Sequence, residues 1–448
     1  MRKILIIGAG RSTSSLIQYL LFNAESENWF VTIADQSKEL ALKAASNHEK
    51  ARAIAFDVSN DDERSRLVDE NDIIISMLPA HMHIAVAKDC IRLKKHMVTA
   101  SYVSKEMKIL KQDAIDAGVI IMNEIGVDPG IDHLSAMRLI NEIRERGGAL
   151  EAFETFTGGL VAPESDNNPW NYKFTWNPRN VVLAGQGTVK FIQNHKYKYI
   201  PYHKLFRRTE IIDIDGYGKF EGYANRDSLQ YREIYGLKDI PTMYRGTLRK
   251  PGFCRAWDVF VQLGATDDSY VMEGSENMTN REFINSFLAY NESDSVELKF
   301  KHYLNIRQDD VDLFDKFVWL GIFESNKIGI KDATPAQILQ HILEQKLSLS
   351  PNDKDMIVMW HRFLFKQDGN FKEIHSSMVV KGDDQTYTAM AKTVGLPVAI
   401  ATKMILNDVI KTPGVHVPIS KEIYDPILNE LENYGVHFQE KEVTPRFY

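Results

Sequence analysis

Three groups of residues in this sequence have types and spacings that could do chemistry. The first is Gly8-Ala9-Gly10, followed by Arg11 and Ser12 and placed directly after the apolar run Ile4-Leu5-Ile6-Ile7. A glycine turn between a buried strand and a helix can cradle a dinucleotide. The first glycine permits the tight turn, the second lets backbone approach the pyrophosphate, and the helix start offers N–H groups to the anion. The third position of that fingerprint is Thr13, not Gly or Ala. Asp35 ends the next strand, where a carboxylate accepts hydrogen bonds from an adenosine ribose and repels a 2′-phosphate. This predicts NAD as the preferred cofactor, with NADP as the alternative.

The second group is Asn123-Glu-Ile-Gly-Val-Asp-Pro-Gly-Ile-Asp-His133, a strand end, a turn and a helix start. Polar side chains at the carboxyl end of a parallel strand sit where open α/β sheets place ligands, so Glu124 and Asp128 are candidates. The plainer reading is that Asp128 and Asp132 cap the following helix. The third group is Arg226, Arg245 and Arg249 with the pair Gly158-Gly159, because arginine forks receive carboxylates. His81 and His83 have HxH spacing, but two ligands without an acidic or cysteine partner read as a polar helix start. No metal is assigned.

The elements that must position these groups follow from periodicity. Strand-like runs at residues 4–7, 30–34, 53–56, 73–76, 97–101 and 119–122 alternate with helical or polar segments, which specifies a parallel sheet covered on both faces. With the glycine turn on the first strand this is a Rossmann domain. Residues 153–176 then bring aromatics and glycines together, as an antiparallel sheet would. Thr279-Asn-Arg-Glu282 reads as a capping box, and Thr334-Pro335 and Ser350-Pro351 each place a cap before a proline. Residues 387–410 read as helical but broken at Gly395-Leu-Pro397. The expected division is a Rossmann domain at 1–130, completed by 384–411. A mixed α/β substrate and dimerisation domain covers 131–278 with 366–383 and 412–448, and a helical domain covers 279–365.

With 448 residues, 26% charged and a net charge of −7, the chain is expected to hold two or three domains and lacks the basic footprint of a nucleic-acid binder. The two cysteines, Cys90 and Cys254, form no CxxC. Neither an export signal nor a run of about 18 apolar residues is recognised, so a cytoplasmic protein away from membranes is expected.

Asn123 to His133, Thr99-Ala-Ser-Tyr102, Gly158-Gly-Leu-Val-Ala-Pro163 with Tyr172-Lys-Phe-Thr-Trp176, Asn225-Arg-Asp227 and Arg245-Gly-Thr-Leu-Arg249 together resemble the saccharopine reductases, the glutamate-forming saccharopine dehydrogenases. The resemblance covers essentially the whole chain. It implies a Rossmann domain, an α/β substrate and dimerisation domain and a helical domain around one cleft. It also implies a homodimer and interconversion of saccharopine with 2-aminoadipate semialdehyde plus glutamate in lysine metabolism. Carried over residue by residue, it implies cofactor contacts at Gly8, Ala9, Gly10, Arg11, Ser12, Asp57, Val58, Leu78, Ala100, Ser101, Val127, Asp128, Pro129 and Asn177. Substrate contacts fall at Ser101, Tyr102, Asp128, Arg226, Thr247, Leu248 and Arg249, with Asp128 and Tyr102 as proton-handling candidates. Two departures stand out: Thr157 replaces a cysteine of the fungal enzymes, and Asp35-Gln36 lacks their arginine. Carboxynorspermidine dehydrogenases, which condense a semialdehyde with a diamine, resemble the chain in outline. A diamine site calls for acids, whereas this region offers arginines. A non-catalytic scaffold with a retained Rossmann fold is the remaining alternative, and the intact glycine turn speaks against it.

Overall fold

Ile4 to Ile7 have no side that faces water, each being at most 1% exposed within strand β1 (Arg2–Ile7). A strand apolar on both faces belongs inside a sheet with layers on both sides. In the computed structural model, which describes residues 1–447, β1 lies within a seven-stranded sheet. The other strands are β2 (Trp29–Asp35), β3 (Ala51–Ala55), β4 (Ile73–Ser76), β5 (His96–Val98), β6 (Ile120–Met122) and a late strand, Gly414–His416. The order is Gly414–His416, β6, β5, β4, β1, β2, β3, and every pairing is parallel. Strand order reverses between β1 and β4, the switch point at which such sheets bind ligands.

Two expectations need correction here. Residues 99–101 do not extend β5: Ser101 N–H turns back onto Thr99 Oγ1 at 3.3 Å, a local side-chain bond that ends the ladder. The helix Ala389–Leu406 runs unbroken through Gly395 and Pro397. Proline forfeits one hydrogen bond, and glycine is there for proximity. A Cβ on Gly395 would lie 2.8 Å from Leu16 N and 3.2 Å from Ser12 O. The helix therefore packs tightly on Ser14–Phe22, the helix that leaves the glycine turn. Its length and hydropathy match a membrane span, but 72% of it is buried within the protein, which accounts for its apolar composition.

Compactness divides the chain into Met1–Leu150 with Leu364–Pro445, and Glu151–Phe363 with Arg446 and Phe447. Residues 131–150, 366–383 and 412–445, expected with the substrate domain, lie in the first unit. There the strand Asn370–Lys381 pairs antiparallel with Gln439–Val443.

The second unit is built on a sheet of β7 (Ala149–Val161), β8 (Val189–Gln193), β9 (Lys196–Ile200), β10 (Thr209–Ile214), β11 (Gly218–Ala224), β12 (Thr242–Arg249) and β13 (Asp355–Gln367). Its path is β10, β11, β12, β7, β13, with the β8–β9 hairpin attached to β12. The β10–β11–β12 part is antiparallel, but β7, which holds the start of the 153–176 stretch expected to be antiparallel, pairs with β12 in parallel. Both capping boxes at Thr279 and Thr334 are present. Ser350-Pro351 starts no helix: Ser350 N–H donates to Asp353 Oδ2 at 2.6 Å, and this turn leads into β13. The helical region thus ends at Leu347, not near 365. Residues 356–359 form a short buried apolar run, a pattern that does not distinguish helix from strand.

Gly395→Ala is expected to lower unfolding free energy by about 1–3 kcal/mol, because the two helices must separate to admit one methyl group. Chemical denaturation measures it; an unchanged midpoint would mean that the helices slide without cost.

Candidate active site and cofactor cradle

Gly8 follows β1 at φ +105°, and a Cβ there would lie 2.8 Å from the Met77 carbonyl oxygen. Only glycine lets the first loop cross so close to the loop after β4. Gly10 is the opposite case, since a Cβ there would meet nothing within 4 Å. Backbone is thus bare on a side open to a ligand, which fits a dinucleotide pyrophosphate. Thr13 is buried and its Oγ1 donates to Gly10 O at 2.7 Å, so the unusual third residue braces the turn. Asp35 braces it as well, Oδ2 accepting from Ala9 N–H at 2.7 Å and Oδ1 from Ser37 N–H at 2.8 Å.

On the same rim, at the end of β3, exposed Asp57 accepts from the Ser59 hydroxyl and N–H and is bonded by the Gln36 side chain. Those bonds hold its carboxyl below the usual range. Val58 and Leu78 pack into the apolar cluster under this rim. A cavity of about 820 Å³ opens beside the turn, lined by Ala9, Gly10 and Arg11 and continuing toward Lys43 and His48. Asp35 and Asp57 are not part of its lining.

The loops after β5 and β6 are bound into one structure. Glu124 N–H donates to Ser101 O at 3.0 Å, and Val103 N–H donates to Glu124 Oε1 at 2.9 Å. Glu124 Oε2 lies 2.8 Å from His133 Nε2, with both residues buried. The Glu124 backbone is left-handed, φ +54°, a conformation costing about 1 kcal/mol that these bonds hold in place. Gly126 lies against Ala100, where a Cβ would be 3.0 Å from the alanine Cβ. This brings Ala100, Ser101 and Tyr102 together with Val127, Asp128 and Pro129. Gly130, at φ +149°, admits no side chain, because a Cβ would be 2.0 Å from Gly126 O. Asp132 supports the helix start: its Oδ1 accepts from Gly130 N–H at 2.6 Å. Tyr102 and Asp128 are half-buried on this rim, and Ser101 Oγ is 2.7 Å from His83 Nε2.

In the second unit the decisive residue is Arg249, only 4% exposed. Its guanidinium carbon lies 5.2, 5.9 and 5.3 Å from the ring centres of Tyr172, Tyr223 and Phe253. Nη1 donates to Leu248 O at 2.9 Å, and Nε has no hydrogen-bond partner. Three other buried cations have counter-ions: Arg362 meets Glu154 at 2.8 Å, Arg64 meets Asp89 at 2.8 Å, and Lys173 meets Asp353 at 2.6 Å. Arg249 has no carboxylate among the described residues. Glu221, its register partner on β11, is committed to Gly252 N–H and Cys254 N–H. Nearby, Tyr172 OH and Thr157 Oγ1 are buried without partners, and burial pushes the Tyr172 phenol up to about 12, so it remains a neutral donor. These aromatic neighbours were not singled out from sequence, although Tyr172 stood in a quoted motif. Such a set has the chemistry to receive an anion that also accepts hydrogen bonds.

Thr247 lies beside Arg249 on the same face, opposite Tyr223 and Thr157 in register. Leu248 points to the other face, fully buried against Gly158, which leaves only its backbone for a ligand, and its carbonyl already accepts from Arg249. Arg226 is exposed at φ +51° just beyond β11. Asn225 N–H donates to Arg245 O, which sets Arg226 near the other end of β12, about 13 Å of strand from Arg249. That spacing suits two carboxylates of an extended ligand. Asn177 is an exposed helix cap, its Oδ1 accepting from Arg179 N–H at 2.9 Å. Cys254 and Cys90 are buried, and burial raises both thiols; with Thr157 in place of cysteine, the sites described hold no reactive thiolate.

Family models described as the saccharopine dehydrogenase NADP binding domain and C-terminal domain match residues 4–122 and 126–436. The chain belongs to the saccharopine dehydrogenase family. It is 34% identical over 450 residues to saccharopine dehydrogenase [NADP(+), L-glutamate-forming] of Saccharomyces cerevisiae, covering 99% of this chain and 100% of that protein. Alpha-aminoadipic semialdehyde synthase of Rattus norvegicus is 33% identical over 98% of this chain, which spans 47% of that longer protein. The apo structure of the Saccharomyces cerevisiae saccharopine dehydrogenase (L-Glu forming) superposes with a TM-score of 0.91 at 33% identity, covering 99% and 100% of the two chains. A homospermidine synthase from Legionella pneumophila, at a TM-score of 0.59 and 10% identity, shares the fold alone.

A buried cation without a counter-ion costs several kcal/mol of desolvation, partly offset by contacts of about 0.5–2 kcal/mol with each ring. Arg249→Met is therefore expected to keep or raise the melting temperature while abolishing anion binding. A fall of more than about 2 °C, roughly 2 kcal/mol in a chain of this size, would mark the arginine as structural.

Proposed function

We propose that this protein is a glutamate-forming saccharopine dehydrogenase, interconverting saccharopine with 2-aminoadipate 6-semialdehyde plus L-glutamate in lysine metabolism. The observation that carries this reading is the buried guanidinium of Arg249 without a counter-ion. Saccharopine is a secondary amine with three carboxylates, so its receptor needs cations for the carboxylates and an anion for the ammonium groups. Arg249, with Thr247 beside it, receives one carboxylate and Arg226 another; the family likeness assigns the amine to Asp128. A diamine substrate would instead be repelled by Arg249.

The nicotinamide, when bound, supplies or receives the hydride at the imine carbon. Gly8, Ala9, Gly10, Arg11 and Ser12 would hold the pyrophosphate, Asp35, Asp57 and Val58 the adenosine, and Leu78, Ala100, Ser101, Val127, Pro129 and Asn177 the remainder. The chain's own residues orient the substrate, exclude water and move protons. Asp128 accepts the proton released at the amine, and Tyr102 donates or accepts at the carbinolamine oxygen.

Removing one charge-assisted contact costs roughly 1.5–3 kcal/mol. Arg249→Ala and Arg226→Ala are expected to raise KM for saccharopine by about ten- to a hundredfold with the dinucleotide KM nearly unchanged. Steady-state kinetics with each substrate varied in turn decides it; equal losses for both would sink the assignment.

Cofactor choice turns on the rim at β2 and β3. Two carboxylates, Asp35 and Asp57, stand there, and Gln36 occupies the place of an arginine. The Saccharomyces cerevisiae relative carries NADP(+) in its name; this rim, in our reading, favours NAD. NADH is expected to turn over faster than NADPH at equal low concentrations, and Asp35→Ala with Gln36→Arg to narrow the gap. Faster turnover with NADPH by the parent protein would refute it and direct attention to Arg11.

We also infer a homodimer through the sheet of the second unit, by likeness to the family. Light scattering at micromolar concentration is expected to give twice the 51.3 kDa chain mass; the mass of one chain would refute it.

A further inference from the structure

The HxH pair has no metal role in the proposed chemistry, yet its second histidine is placed with unusual completeness. His83 opens the helix His83–Leu93 and is 3% exposed. Its Nδ1 lies 2.8 Å from Ser76 Oγ and its Nε2 lies 2.7 Å from Ser101 Oγ. Ser76 is the last residue of β4 and fully buried. Ser101 has its carbonyl held by Glu124 N–H at 3.0 Å and its own N–H held on Thr99 Oγ1. The backbone of Ser101 is thus fixed, and only its hydroxyl direction is left to be set.

A neutral imidazole donates from one nitrogen and accepts at the other. Burial first, and His81 second, push His83 down to about 4, so at neutral pH it is uncharged. Two arrangements of the serine–histidine–serine chain exist. In one, Nδ1–H donates to Ser76, and the Ser101 proton is consumed on Nε2. In the other, Ser76 donates to Nδ1 and Nε2–H donates to Ser101 Oγ, which leaves the Ser101 proton to point away from the histidine.

We propose that His83 is a positioning residue that holds Ser101 as a hydrogen-bond donor to the ligand. The second arrangement is the one required, because the ligand groups expected at Ser101 are carboxylate and carboxamide oxygens, which accept. Ser76 holds the other ring nitrogen in place and, as a hydroxyl that both donates and accepts, accommodates the tautomer that Ser101 requires. The proposal rests on the reading of Ser101 as a ligand contact.

The test uses the intact enzyme with Ser101→Ala, His83→Gln, His83→Asn and the double variants. A glutamine amide reaches about the Nε2 position and can donate to Ser101, whereas an asparagine amide reaches only the Nδ1 position. Ser101→Ala is expected to lower kcat/KM about tenfold, the size of one lost hydrogen bond. His83→Asn is expected to match it, His83→Gln to recover most of the activity, and His83→Asn to add nothing in the Ser101→Ala background. If Ser101→Ala is silent toward both substrate and cofactor, the reading of Ser101 is wrong and the inference falls with it. If Ser101→Ala is impaired but His83→Asn is normal, or its loss multiplies that of Ser101→Ala, the role of His83 alone is overturned. Should His83→Asn fail to fold, the comparison of His83→Gln with Ser101→Ala/His83→Gln decides: a glutamine variant no better than Ser101→Ala overturns the proposal.

Discussion

A positive charge held inside an aromatic cage without a counter-ion is the constraint to which the second unit answers. Arg249 can be buried only because three rings face its guanidinium and the Leu248 carbonyl takes one N–H. Each of those supports has a position to keep. Tyr223 and Thr247 are opposite one another in the β11–β12 ladder. Phe253 starts the next helix, whose first N–H groups are held by Glu221, so the carboxylate that might have neutralised Arg249 is occupied as a cap. Gly158 permits the close contact with Leu248 that sets β12 against β7. The sheet thus buries Arg249 with no carboxylate of its own among the described residues.

The first unit follows a different rule. All seven strands of its sheet run the same way, so every strand ends on the same rim, and residues far apart in sequence converge there by direction alone. Gly8 and Met77 nearly touch because β1 and β4 flank the switch point. Ala100 and Gly126 meet because β5 and β6 are neighbours. Glu124 joins the last two loops with one carboxylate, at the cost of a left-handed backbone. The strain is local, and its effect is to set Ser101, Tyr102 and Asp128 on one connected frame.

Much of this was legible in the sequence, for reasons that differ by residue. The strand runs around Ile4 and Ile73 are continuously apolar and bounded by turns, which leaves little else for them to be. Thr279 and Thr334 announced their helices because a capping box is a local device whose partners lie three residues apart. Ser350-Pro351 has the same appearance, but a distant lysine pairs with Asp353 and fixes a turn, and no local pattern reports that. Gly395 read as a breaker because its reason, contact with Leu16, is separated by most of the chain. Arg249 was legible as an anion receptor by type; its lack of a counter-ion, which separates it from structural Arg362, exists only in three dimensions.

Asp35 joins the cofactor's chemistry to the loop's geometry. Its carboxylate takes the Ala9 N–H, one of the donors that a glycine turn would otherwise present to phosphate, and the Ser37 N–H that opens the next helix. A carboxylate oxygen has lone pairs to spare, so these bonds leave room for ribose hydroxyls while fixing where the negative charge stands. The charge also cannot swing away from a 2′-phosphate without releasing the turn. A neutral or basic residue here would have no oxygen pair to offer both N–H groups. Loop shape and local charge are thus coupled at a single side chain, and an exchange at Asp35 alone removes the charge together with the brace.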